Sequence, residues 1–131
     1  MAGQISKQLK ILFLIHFFVS IIIGLVFLIF VESFTALIGW PNTDPVAGRL
    51  LGASLLGYST SSLLAWRETE WLKVKLIVQM EIVFCAVGSI VLLICVFIPT
   101  FALPFFTWVF IVLLLFFVIV FVWFYFQQEK G

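Results

Sequence analysis

The chain has 131 residues, of which 65% are hydrophobic and only 10% charged, with a net charge of +1. Soluble domains carry about a quarter charged residues, so no water-facing surface can be built from this composition and lipid must solvate most side chains. The absence of any basic patch excludes nucleic acid as a partner.

Met1 to Lys10 reads as a short polar head. A first apolar run follows over residues 11–31, interrupted by one ionisable side chain, His16. It is longer than the roughly 7–15 residues of a signal-peptide core and has no small-residue cleavage site, so it is expected to stay as a membrane helix. Glu32 to Asp44 is the first connection, and a short interfacial helix is expected over Ser33 to Ile38 before the turn at Pro41-Asn42. Trp40 suits the headgroup level there.

Asp44-Pro45 is a helix start, with Asp as N-cap and Pro at the first helical position. It opens a second span over residues 45–66, the only long apolar stretch rich in small and hydroxyl residues. The charged turn RETE, residues 67–70, precedes a third span over 72–98, which Pro99 ends. A fourth span over 105–126 is almost wholly aromatic and β-branched and leads into the tail QQEKG. Each run reaches the ~20 residues that a bilayer crossing needs, and none alternates as barrel strands do. The expected fold is therefore all-α, a four-helix transmembrane bundle in one domain.

Four crossings put the N-terminus, the 67–75 turn and the C-terminus on one side. That side holds Lys7, Lys10, Arg67, Lys73, Lys75 and Lys130; the other holds only Arg49. By the positive-inside rule both termini are expected in the cytoplasm of a cell-membrane protein. Cys85 and Cys95 lie ten residues apart, about 15 Å along a helix, too far to bond to each other.

Small residues bring helices together in lipid. Gly48 and Gly52 form such a pair, continued by Ala53, Gly57 and Ser61. His16, Ser20 and Gly24 repeat at the same spacing in span one, and Glu81, Cys85 and Gly88 do so in span three. Span four has no such stripe and is expected to be peripheral, facing lipid or another protomer.

Two polar constellations stand out. His16, Ser61 and Glu81 each lie six residues, about 9 Å, from a basic residue at the terminal side, so one depth is expected for them, with Thr60, Ser62 and Gln79 close to that level. Ionisable groups at membrane depth suggest a proton or ligand site, or a polar link between helices. Nearer the other side, Arg49 and Glu32 are expected to pair, either pinning two spans or receiving an anionic headgroup. Tyr58 lies between the two levels. No catalytic motif, metal cluster or phosphate loop is present, and no cofactor is expected.

The segment DPVAGRLLGASLLGYSTSSLLAWRETEW resembles the second helix of small prokaryotic four-helix membrane proteins, the DoxX-like group, at Asp44, Arg49, Gly52, Gly57, Ala65 and Arg67, preceded by Gly39-Trp40-Pro41. The resemblance implies the four-span plan and carries over no functional residue. The small four-helix glutathione and eicosanoid enzymes of membranes offer a second comparison, but Arg49 is followed here by Ala53-Ser54 and Tyr58, without their Asn and Glu. Three functional classes remain. The first is a binding or transport-type membrane protein with a polar interior that takes a proton, small ligand or lipid headgroup. The second is an accessory subunit beside a larger membrane complex, and the third an enzyme acting on a lipid or quinone. The bilayer is the expected partner, with a homo-oligomer or larger membrane complex as alternatives.

Overall fold

The structure is a computed structural model that describes residues 3–131; Met1 and Ala2 of the polar head lie outside the described residues. It is all-helical. Five α-helices are present among the described residues: α1 (Lys7–Ile29), α2 (Val31–Ile38), α3 (Pro45–Arg67), α4 (Trp71–Val96) and α5 (Thr107–Lys130), with a 3-10 turn at Pro99–Phe101. Four were expected as spans, and α2 is the short connecting helix, two residues longer at its start than anticipated.

Local chemistry sets the boundaries. The Ser6 hydroxyl caps α1 by accepting from Leu9 N–H. The backbone breaks at Phe30, so the first helix ends sooner than its apolar run and the chain restarts as α2. Gly39 ends α2 at φ 74°, in the left-handed region where glycine carries no side-chain clash. Asp44 accepts from Val46 N and Ala47 N, and Pro45 opens α3.

Three helices, α1, α4 and α5, are long and apolar enough to cross a membrane. α3 matches α1 in length, at 23 residues each, but its Gly, Ser and Thr content leaves it outside that set. Large apolar side chains such as Ile22, Leu72 and Ile119 point outward from the bundle, a surface far more apolar than water tolerates in contiguous patches.

The helices pack as two pairs. α1 lies along α3 and α4 along α5, while α3 touches α4 only sparsely. Glycine decides the first pair. A Cβ at Gly52 would stand 2.7 Å from both the Gly24 carbonyl oxygen and the Leu28 backbone nitrogen, and one at Gly24 would meet Gly52 O at 3.1 Å. Gly48 lies against the Val31 side chain. The GxxxG pair therefore joins α3 to α1 within the chain. The expected continuation through Ala53, Gly57 and Ser61 is on the wrong face. Gly57 meets open space, and the buried line runs instead through Gly52, Ser59, Ser62 and Ala65.

α5 is largely outward-facing, as expected, and most of its span is exposed, while Ile111, Phe117, Phe121 and Phe124 pack inward. The core gathers at the end that holds both termini, around Leu9, Phe13, Val74, Val78 and Phe121. That end is fastened further by the N-terminal segment. Ile5 N donates to Thr69 O, Trp71 N donates to Gly3 O, and Gln4 bridges Glu70. Glu129 at the end of α5 accepts from Trp71 Nε1 at 2.7 Å and from Lys75 Nζ at 2.8 Å.

Gly52→Ala should cost about 1–3 kcal/mol, since two backbones must part to admit a methyl group. Gly57→Ala in the same helix should cost nothing. Unfolding titrations in mixed micelles read both; equal effects would contradict intramolecular glycine packing.

Candidate functional site

Glu81 is the most deeply buried ionisable side chain of the bundle, with 0% exposure, and His16 is 5% exposed. Their neighbour is Ser62, fully buried on α3. His16 Nδ1 lies 2.8 Å from Ser62 Oγ, Ser62 Oγ lies 3.4 Å from Glu81 Oε1, and His16 Nε2 lies 3.3 Å from Glu81 Oε2. Three helices thus meet in one closed ring of polar contacts. The His16–Glu81 contact is long and off a hydrogen-bond line, so Glu81 Oε2 is the least satisfied atom in it.

The ring can be filled without net charge. A neutral imidazole, a hydroxyl and a protonated carboxyl bring three protons for three contacts, and the protons can point round the ring in either sense. The Ser62 contacts are then satisfied, as burial in an apolar medium requires, while Glu81 Oε2 is left without a well-directed hydrogen bond. The walls are aromatic: Phe117 and Phe121 of α5 stand edge-on to the imidazole at centroid distances of 4.7 and 5.6 Å. Ser20 Oγ, one turn on, donates to the His16 carbonyl.

Ser61 is not a member. Its hydroxyl donates to the Tyr58 carbonyl of its own helix at 2.8 Å, and the adjacent Ser62 takes the expected place. Gln79 is not a member either. It faces outward, where its Nε2 donates to Tyr125 Oη at 3.1 Å. Tyr58 does not link the polar layers; its ring lies tilted against Phe84 at 4.4 Å. At the other end Arg49 and Glu32 form a two-point pair, with Nη1–Oε1 at 2.8 Å and Nη2–Oε2 at 3.0 Å. Both side chains are partly exposed, at 42% and 54%.

The arrangement of Ser62, His16 and Glu81 has the residue types of a hydrolase triad. It lacks the geometry: Ser62 Oγ is sealed inside the ring, touches both other members and does not border the cavity described next.

Between the two helix pairs lies a cavity of about 470 Å³. It starts at His16, Ser20 and Cys85 and widens toward α2 and the α2–α3 connection, where Trp40, Asn42, Thr43 and Asp44 border it. Its walls are apolar, among them Ile23, Leu55, Leu92 and Leu114. Tyr58 and Phe84 close α3 on α4 near the floor; beyond them Leu51 and Val91, which border the cavity, are 40% and 50% exposed. Sequence reasoning missed the cavity, because a void between helices leaves no residue pattern of its own. Of the seven site residues expected from sequence, His16 alone borders it. No protein family, curated protein or solved structure matches the chain.

Two predictions follow from these contacts. Glu81→Gln can fill the same ring, its amide donating to Nε2 and its carbonyl accepting from Ser62, so it should cost under about 1 kcal/mol. Glu81→Ala strands His16 and Ser62 and should cost about 2–4 kcal/mol. Detergent unfolding compares them, and equal losses would mean an ionised pair. Arg49's hydrogen bonds hold the Glu32 carboxyl below the usual carboxylate range. A lowered value means the pair stabilises the fold above the ordinary carboxylate pKa and ceases to do so as pH falls through the lowered one. Arg49→Gln should move the Glu32 titration up in a carbon NMR titration; an unmoved midpoint would contradict the pairing.

Proposed function

We propose that the chain is a four-span membrane protein, allied to the small DoxX-like proteins, that binds an apolar small molecule in its interhelical cavity. In this reading α3 is the fourth crossing. Two features support that. It lies along α1 through glycine contacts, so it occupies the same depth. The hydroxyls that lower its hydropathy are also satisfied locally: Ser54 donates to Leu50 O, Ser59 and Thr60 to Leu56 O, and Ser61 to Tyr58 O. A crossing helix must leave no donor unpaired in lipid. The basic residues at the terminal end support cytoplasmic termini.

The cavity carries the functional reading. Its volume and apolar lining fall within the range of small-molecule sites, which are about 300–1,000 Å³ and mostly apolar. The His16–Ser62–Glu81 ring is its structural floor rather than a proton path. Between the ring and the terminal end stand Leu9, Phe13, Val74, Val78 and Phe121, all fully buried, with no polar step through them. The accessory-subunit reading is weaker, because α5 commits its buried face to the core and turns Val112, Ile119 and Trp123 outward, as any lipid-facing helix does.

Native mass spectrometry from mild detergent tests the proposal. Wild-type protein should retain a specific small-molecule adduct. Ala47→Trp, which fills the wide end of the cavity, should lose it at least ten-fold. Leu37→Trp, on an outward face with 83% exposure, should keep it. An adduct that survives Ala47→Trp, or none in the wild type, would overturn the proposal.

A further inference from the structure

The two ends of the cavity differ in what they offer a ligand. At the floor the polar groups that border the cavity are turned to protein: His16 Nδ1 meets Ser62, Nε2 faces Glu81, and Ser20 donates to a carbonyl, while Glu81 Oε2, which has no hydrogen bond, does not border the cavity. The Cys85 thiol beside them behaves as a small apolar group. The floor can therefore accept hydrocarbon and has nothing to recognise a head. At the wide end stand an indole N–H (Trp40), an amide (Asn42) and a hydroxyl (Thr43).

Charge at the wide end selects further. Asp44 borders the cavity and carries a carboxylate, which repels an anion. Among the described residues the cation nearest in chain position, Arg49, is held at two points by Glu32 and does not border the cavity. An anionic head has no counter-charge there.

Size sets the tail. Along α1 the cavity runs from His16 to Phe27, eleven residues and about 16 Å of rise. Carbon–carbon bonds of about 1.5 Å advance roughly 1.3 Å per carbon in a zigzag, so about twelve carbons span that length. At about 30 Å³ for each heavy-atom group, a chain of that length with its head takes about 400 Å³, and the cavity of about 470 Å³ is sized for one.

We propose that the ligand is a single-chain amphiphile with an uncharged hydroxyl or amide head, seated with its tail on the His16–Cys85 floor and its head among Trp40, Asn42 and Thr43. This rests on the cavity-binding reading above. The head would lie at the level where Trp prefers the membrane interface.

Photolabelling of the full chain in lipid nanodiscs tests it. The probes are two alkyl alcohols of about twelve carbons, one with a diazirine at the terminal carbon and one with it beside the hydroxyl. Cross-linked peptides are mapped by mass spectrometry. The tail probe should label residues 16–23 or 85–88, and the head-side probe residues 40–44. Unlabelled alkyl alcohol should compete at least ten-fold better than the carboxylate of equal length or a two-chain phospholipid. Reversed labelling would overturn the orientation. Equal competition by the carboxylate would overturn the uncharged head, and by the phospholipid the single chain. Absence of saturable labelling would overturn the ligand class. If the native-mass adduct is still lost on Ala47→Trp in any of these cases, cavity binding stands and this inference alone falls.

Discussion

The ring formed by His16, Ser62 and Glu81 is the constraint on which the rest of the bundle depends. Three helices each place one polar side chain at the same depth, in surroundings where an unpartnered polar group costs several kcal/mol. No member can be satisfied alone, so α1, α3 and α4 must meet there and nowhere else. α5 completes the arrangement by covering the ring with Phe117 and Phe121. In lipid, where apolar contact gives little net drive between helices, such a ring specifies register as well as holding helices together.

Its position makes the bundle asymmetric. Below the ring, toward the termini, side chains interlock into the core, and the N-terminal segment and Glu129 close the end. Above it, glycine contacts keep α3 tight against α1, but α3 and α4 part beyond the Tyr58–Phe84 contact. The cavity is the space this parting leaves. A closed end and an open end follow from one cause: the polar partners sit in the terminal half, and the far half has only the Arg49–Glu32 pair, which joins α3 to α2 and not to α4.

Much of this plan could be read from sequence. Apolar runs gave the long helices, Asp44-Pro45 the start of α3, and depth counting the level shared by His16 and Glu81. Counting residues fixes depth but not the angle about the helix axis, and one residue turns a side chain by about 100°. That is why Ser61 was expected where Ser62 stands, and why Ala53 and Gly57 were assigned to a face they do not occupy. Gln79 sits near the right depth yet points outward to Tyr125 for the same reason. The absence of small residues in the fourth span pointed to a largely outward-facing helix, which α5 is; that Phe117 and Phe121 would cover the ring left no signal, since Phe rings serve as covering surface where close backbone approach is not needed. Glu129 was unreadable because its partners, Trp71 and Lys75, lie more than fifty positions away.

The central claim is that the ring couples the two helix pairs energetically. A double-mutant cycle between His16→Ala and Glu81→Ala, read by unfolding free energy in mixed micelles, measures that coupling directly. The account predicts a coupling of about 1–3 kcal/mol, as for buried partners in one network. Additive losses, with coupling near zero, would contradict it and leave the three residues as independent buried groups.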